Sequence, residues 1–310
     1  MKITFTITFK LFPNYLSIKQ NANGTIIAYQ NDLKLFHTFL VERLNNKIRY
    51  VEDFTRIEAL QYQEYLMELV NQGVIALGTA FRKYNTLKTF FRFVNEKYGI
   101  PNIMKGDTWG NTKKMQKQDF YLVLEQEHIN HLINTINKST DKNKYRDLVI
   151  FLMLITTGCR REDVLNLEFT DIDYTRNEIL LYHNKTSVGK VVQLPSLLKT
   201  ALLNYEKANP CCDPSAFVIR SRQSNRLSTS SYNDVIKKWI EESGIHRFYK
   251  KDITGHTFRH TFITNAIRNN FSDQKIMDYT GHLDSKTLEN YKHLVSCDHD
   301  DIANMYDIAL

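Results

Sequence analysis

The run Gly255-His256-Thr257-Phe258-Arg259-His260-Thr261 sets a histidine and an arginine three positions apart. Gly281-His282 follows, and Tyr291 stands nine positions beyond His282. Upstream, Thr157-Gly158-Cys159-Arg160 closes an apolar run. Two arginines, two histidines and a late tyrosine have one common use: holding a phosphodiester while a phenol attacks it. A guanidinium fork matches phosphate oxygens through paired hydrogen bonds. Histidine moves protons near neutral pH, and tyrosine can carry a covalent intermediate. Singly, each residue is commonplace, because a lone arginine is usually solvated and a lone tyrosine usually packs. The signal lies in their order and spacing.

These side chains need elements to aim them. On a helix, His256 and Arg259 share a face, while Phe258, Phe262 and Ile263 form a buried stripe. His260 is expected to turn away from the shared face and to bond within the core. The apolar stretch Tyr145 to Thr156 reads as a buried helix that ends near Gly158. Asp163 could orient Arg160, with Arg161 the alternative guanidinium. Glu178–Tyr182 and Val191–Leu194 read as two strands around a turn that carries Lys185. Further helices are expected near 122–133, 197–206, 230–243, 256–268, 273–279, 285–293 and 299–308. In the last, Ile302, Met305, Tyr306 and Ala309 make a short apolar stripe.

The N-terminal part reads differently. Residues 1–24 are expected to be an arm or strand, because Ile3, Phe5, Ile7 and Phe9 alternate with polar residues. Thr25 is a candidate N-cap. Apolar residues then recur at helical spacing across 25–103, as Tyr29, Leu33, Phe36 and Leu40 illustrate. Residues 104–120 lose that periodicity and carry Lys105, Lys113, Lys114 and Lys117, a basic linker. The second domain spans 121–310. The fold class expected is mainly α (α+β): an N-terminal helical bundle, then a mostly helical domain with a small antiparallel sheet.

The 310 residues suffice for two such cores. A net charge of +7 points to a polyanionic partner. The four cysteines lack metal-binding spacing and read as reduced thiols. No apolar run is long enough to span a membrane, and the opening lacks the apolar block of a signal peptide. No metal or cofactor is expected, and the cytoplasm is the expected compartment.

With these residues in order, the pattern HxxR…GH…Y resembles the tyrosine recombinase (phage integrase) family. The segment TTGCRREDVLNL resembles the family's first arginine box, with Cys159 and Asp163 departing from its commoner leucine and glutamate. The resemblance implies six catalytic positions: Arg160, Lys185, His256, Arg259, His282 and Tyr291, with Lys190 the alternative lysine. It also implies attack by Tyr291 on double-stranded DNA to give a 3′-phosphotyrosine. Arg160 and Arg259 would then stabilise the phosphate charge, and Lys185 would protonate the leaving oxygen. His256 would assist proton transfer at the nucleophile, and His282 would bond the phosphate. Four subunits would act on paired sites for a mobile element, each a possible monomer without DNA. The alternatives are a DNA invertase or chromosome-dimer resolvase of the same family, a type IB topoisomerase-like relaxing enzyme, and a DNA-binding protein that does not cleave.

Overall fold

The computed structural model describes residues 2–106, 121–182, 189–211, 213–221, 225–281, 288–289 and 291–292. The expected helix at 299–308 and the turn carrying Lys185 lie outside them. The chain divides into two compact units, Met1–Gln118 and Asp119–Leu310.

In the first unit, helices α1 (Phe5–Ile18), α2 (Asn23–Glu42), α3 (Arg56–Asn71) and α4 (Leu77–Tyr98) enclose an aromatic core. Phe36 meets Tyr62 edge-on at 5.0 Å, and Phe12 meets Phe90 edge-on at 5.5 Å. The expected N-terminal strand is corrected, because residues 5–18 are helical. The alternation of four residues was too short a window. The stripe continues through Phe12 and Leu16, so the buried set Phe5, Thr8, Phe12 and Leu16 follows a helical period, while Ile7 faces solvent. A single antiparallel bridge from Thr4 to Tyr50 is all that pairs there. Thr25 is not a cap either: α2 begins at Asn23 after Ala22.

The second unit is built around α6 (Lys144–Thr157), whose residues Val149 to Leu154 are all buried. Around it lie α5 (Gln126–Lys138), α7 (Arg161–Asn166), α8 (Ser196–Ala208), α9 (Thr229–Ser243) and α10 (Gly255–Arg268). Strands β1 (Ile172–Asp173), β2 (Glu178–Tyr182) and β3 (Gly189–Gln193) form an antiparallel sheet in that order, with Ile179 opposite Val192. The last complete helix described is α11 (Asp273–Thr280). Leu288 and Tyr291 pack with Ile263 of α10 and Ile276 of α11 in a small separate core. The architecture is mainly helical with one small sheet, as the periodicities imply.

Candidate active site

Two helices, α6 and α11, end where the basic side chains meet. Helix α6 stops at Gly158, whose left-handed backbone (φ 57°) a side chain would strain. A Cβ there would also lie 2.4 Å from the Phe262 ring. The chain leaves extended, and Arg160 becomes the N-cap of α7, its backbone N–H donating to Asp163 Oδ2 at 2.8 Å. This fixes the base of the Arg160 side chain through its backbone. Arg161 instead pairs with Glu162 at 2.8 Å, so the register favours Arg160 as the inward guanidinium.

Helix α11 supplies the other wall. Its last carbonyls lack intrahelical donors and mark the negative end of the helix dipole. Three cations occupy three successive ones. Lys190 of β3 donates to Tyr279 O at 2.6 Å. Arg259 of α10 donates to Thr280 O at 2.9 Å, and also to Gly158 O at 2.5 Å. Arg160 donates to Gly281 O at 3.1 Å and reaches Thr280 O at 3.4 Å. Backbone dipoles thus hold side by side charges that would otherwise repel.

Burial weakens the cations without discharging them at neutral pH. It pushes Lys190 down to about 8, against the opposing pull of Asp163. Burial, then the neighbouring Arg160, pushes Arg259 down to about 10. His256, at the start of α10, is lowered by burial and then by Arg259, Arg161 and Arg160, so its imidazole is neutral at pH 7. Cys159, fully enclosed, is pushed up to about 11 and stays a thiol.

Tyr291 is almost completely buried. Burial, then Tyr121, pushes its phenol up to about 12, while Arg259 and Arg160 pull it down. Its hydroxyl lies 2.7 Å from His260 Nδ1. Tyr121 stacks on His260 at 4.2 Å and on Tyr291 at 4.7 Å. The expectation that His260 turns away from the face shared by His256 and Arg259 is therefore corrected, while its bond to a packed partner stands. His260 is i+4 from His256, about 40° round the helix, so His256, Arg259 and His260 span one arc. Counting only the i+3 pair hid it. Tyr121 carried no sequence signal beyond being the first aromatic after the basic stretch.

The structure brings Arg160 and Arg259 within electrostatic reach of both His256 and Tyr291. Lys185 and His282 lie outside the described residues. Arg226 bonds Leu165 O at 3.0 Å and Glu162 at 3.2 Å, tying down α7. Among the described residues no His, Cys, Asp or Glu cluster fits a metal ion, and no helix is long and apolar enough to cross a membrane.

A fold of this kind, with a buried and a half-buried arginine converging near a buried tyrosine, defines a class of DNA-processing enzymes, and the comparisons agree. The sequence profile of the phage integrase family matches residues 122–296, and that of the phage integrase N-terminal SAM-like domain matches 9–97. The chain belongs to the phage integrase family; it is a tyrosine recombinase, a site-specific enzyme that cleaves and rejoins DNA. It is 27% identical over 288 residues to a tyrosine recombinase XerD of Staphylococcus epidermidis, covering 91% of this chain and 92% of that one. A tyrosine recombinase of Pseudothermotoga lettingae is 26% identical over 296 residues, covering 94% and 96%. Two solved structures share the fold. One is a XerH site-specific recombinase bound to palindromic difH substrate in a post-cleavage complex, at TM-score 0.73 and 16% identity, over 92% of this chain and 80% of that one. The other is a lambda integrase tetramer bound to a Holliday junction, at TM-score 0.68 and 16% identity, over 91% and 78%.

Proposed function

We propose that this recombinase cuts one strand of double-stranded DNA by attack of Tyr291 on a phosphodiester, leaving a 3′-phosphotyrosine and a free 5′-hydroxyl. The observation that carries this reading is the set of three cations, Arg259 buried and Arg160 and Lys190 half-buried, aligned on the end of α11, with Tyr291 in the field of two of them. Arg160 and Arg259 present fixed positive charge where the pentavalent phosphate becomes more negative. His256 stands beside them as a polar neighbour of the same phosphate site. Lys185 protonates the departing 5′-oxygen, and Lys190 adds charge from the neighbouring strand. His282 hydrogen-bonds the phosphate. The ester keeps the bond energy, so religation needs only a 5′-hydroxyl, and the reaction calls for neither ATP nor a metal.

Four subunits act on paired sites, in the cytoplasm, in the service of a mobile element. An apolar groove of about 380 Å³ on the second unit, lined by Ile129, Ile155, Phe262, Ala266, Phe271 and Lys275, receives the terminal segment of a neighbouring copy. Its apolar positions Ile302, Met305, Tyr306 and Ala309 suit the groove floor, and Asp298, Asp300 and Asp301 suit Lys275.

Duplexes carrying a nick beside the cleaved phosphate trap the covalent intermediate, because the short strand diffuses away. A covalent adduct formed by the wild-type chain and lost in Tyr291→Phe is expected. No adduct on any duplex, or an adduct that survives Tyr291→Phe, overturns the reading. Relaxation of supercoils without site preference would point to a topoisomerase instead.

A further inference from the structure

We propose that His260 is the catalytic proton acceptor for Tyr291, and that Tyr121 holds both rings in register for the transfer. The inference rests on the reading of Tyr291 as nucleophile. Geometry carries it. The Tyr291 hydroxyl lies 2.7 Å from His260 Nδ1, within the range a general base must satisfy. Tyr121 lies against both rings, 17° from parallel with the imidazole and 22° from parallel with the phenol. The segment that follows it is pinned where Leu124 N–H donates to Thr261 Oγ1 at 2.9 Å. His256, whose ring centre lies 6.4 Å from that of His260, sits on the arginine side of the same helix face.

The step balances. Tyr291 Oη forms a bond to phosphorus, and the phenolic proton passes to His260 Nδ1. The bond from phosphorus to the 5′-oxygen breaks, and that oxygen takes a proton from Lys185. Rejoining reverses each transfer, with the His260 proton returning to the phenol oxygen. Nothing is oxidised or reduced.

The free protein keeps the pair inert. Burial, then the charges of His256 and Arg259, push His260 down to about 4, so the imidazole is neutral and accepts the phenolic hydrogen bond. The groups facing it are His256 and Arg259 on its own helix, Tyr121 ahead of α5, and the Tyr291 phenol. A phosphodiester seated on Arg160 and Arg259 brings a negative charge that offsets this repulsion, and the imidazole gains basicity when substrate arrives. Substrate thereby switches on its own nucleophile.

The test uses the full chain and a nicked duplex selected from a random pool by covalent capture with the wild-type protein. His260→Gln keeps side-chain bulk and a hydrogen-bond acceptor but cannot take the proton; His260→Asn serves if it folds poorly. With half-site binding retained, adduct formation is expected to slow about 10²–10⁴-fold. A second substrate replaces the bridging 5′-oxygen by sulfur, whose thiolate leaves without a proton. It should restore Lys185→Ala and leave His260→Gln slow. Adduct formation by His260→Gln at the wild-type rate, or its rescue by sulfur as full as that of Lys185→Ala, overturns the assignment. Failure of the wild-type chain to capture any duplex overturns the nucleophile reading itself, a different result from capture by wild type and His260→Gln alike.

Discussion

Arg259 joins the close of α6 to the close of α11, since its two donors reach Gly158 O and Thr280 O. In the sequence it is a charge that shares a helix face with His256. The structure makes it a structural tie as well. Arg259→Ala strands the buried Gly158 O, at an expected cost of about 1–3 kcal/mol, and leaves Thr280 O with only the longer 3.4 Å contact from Arg160. Urea titration should show that loss together with loss of cleavage. Arg259→Lys keeps the charge but not the fork. Its single-turnover cleavage should fall about 10²–10³-fold, with half-site binding little changed; cleavage near the wild-type rate would remove Arg259 from the transition state. At this scale the sequence discloses side-chain types and the i+3 pairing of His256 with Arg259. It does not disclose the carbonyls that hold the cations, because peptide oxygens have no sequence signature. His260 was legible in principle through its i+4 spacing from His256.

At the scale of elements, Gly158 joins packing to charge. Its left-handed backbone lets α6 stop and turn at once toward Arg160, the N-cap of α7, against the face of Phe262. Alanine there meets both a disfavoured backbone and a ring, so Gly158→Ala is expected to destabilise by about 2 kcal/mol or more. Because Arg160 and the carbonyl for Arg259 flank this turn, covalent trapping should fall further than stability predicts. A variant with wild-type melting and trapping would show that the turn tolerates a side chain. The long helices were legible because their apolar periods run for several turns, as in α4, α8 and α9. Short elements were not. Helix α7 has six residues and β1 has two, too few to establish a period. The opening segment misled because Ile3 to Phe9 fits a strand until Phe12 and Leu16 extend the stripe.

At the scale of the whole molecule, two separate cores were legible from the loss of apolar periodicity after residue 103. The assembly was not, since periodicity reports what a chain buries and leaves open which copy buries it. A short amphipathic segment is marginal alone and needs a docking surface. Removing residues 300–310 is expected to leave half-site binding intact while weakening cooperative filling of paired sites, as gel-shift titration would show. Unchanged cooperativity, or a monomer that no longer folds, would place the segment on its own chain instead of a neighbour's.

The contacts that seat Lys190, Arg259 and Arg160 are made by main-chain oxygens, which every amino acid carries. Across a lineage, the side chains at 279 and 280 can therefore be exchanged without redrawing the charge map. Position 281 has no such freedom, because its left-handed backbone (φ 66°) selects glycine. A one-residue insertion or deletion inside α11 would be another matter: it would rotate the acceptors by about 100° and displace all three cations in a single event. The seats of the three cations are indifferent to the spelling of the helix and bound to its length.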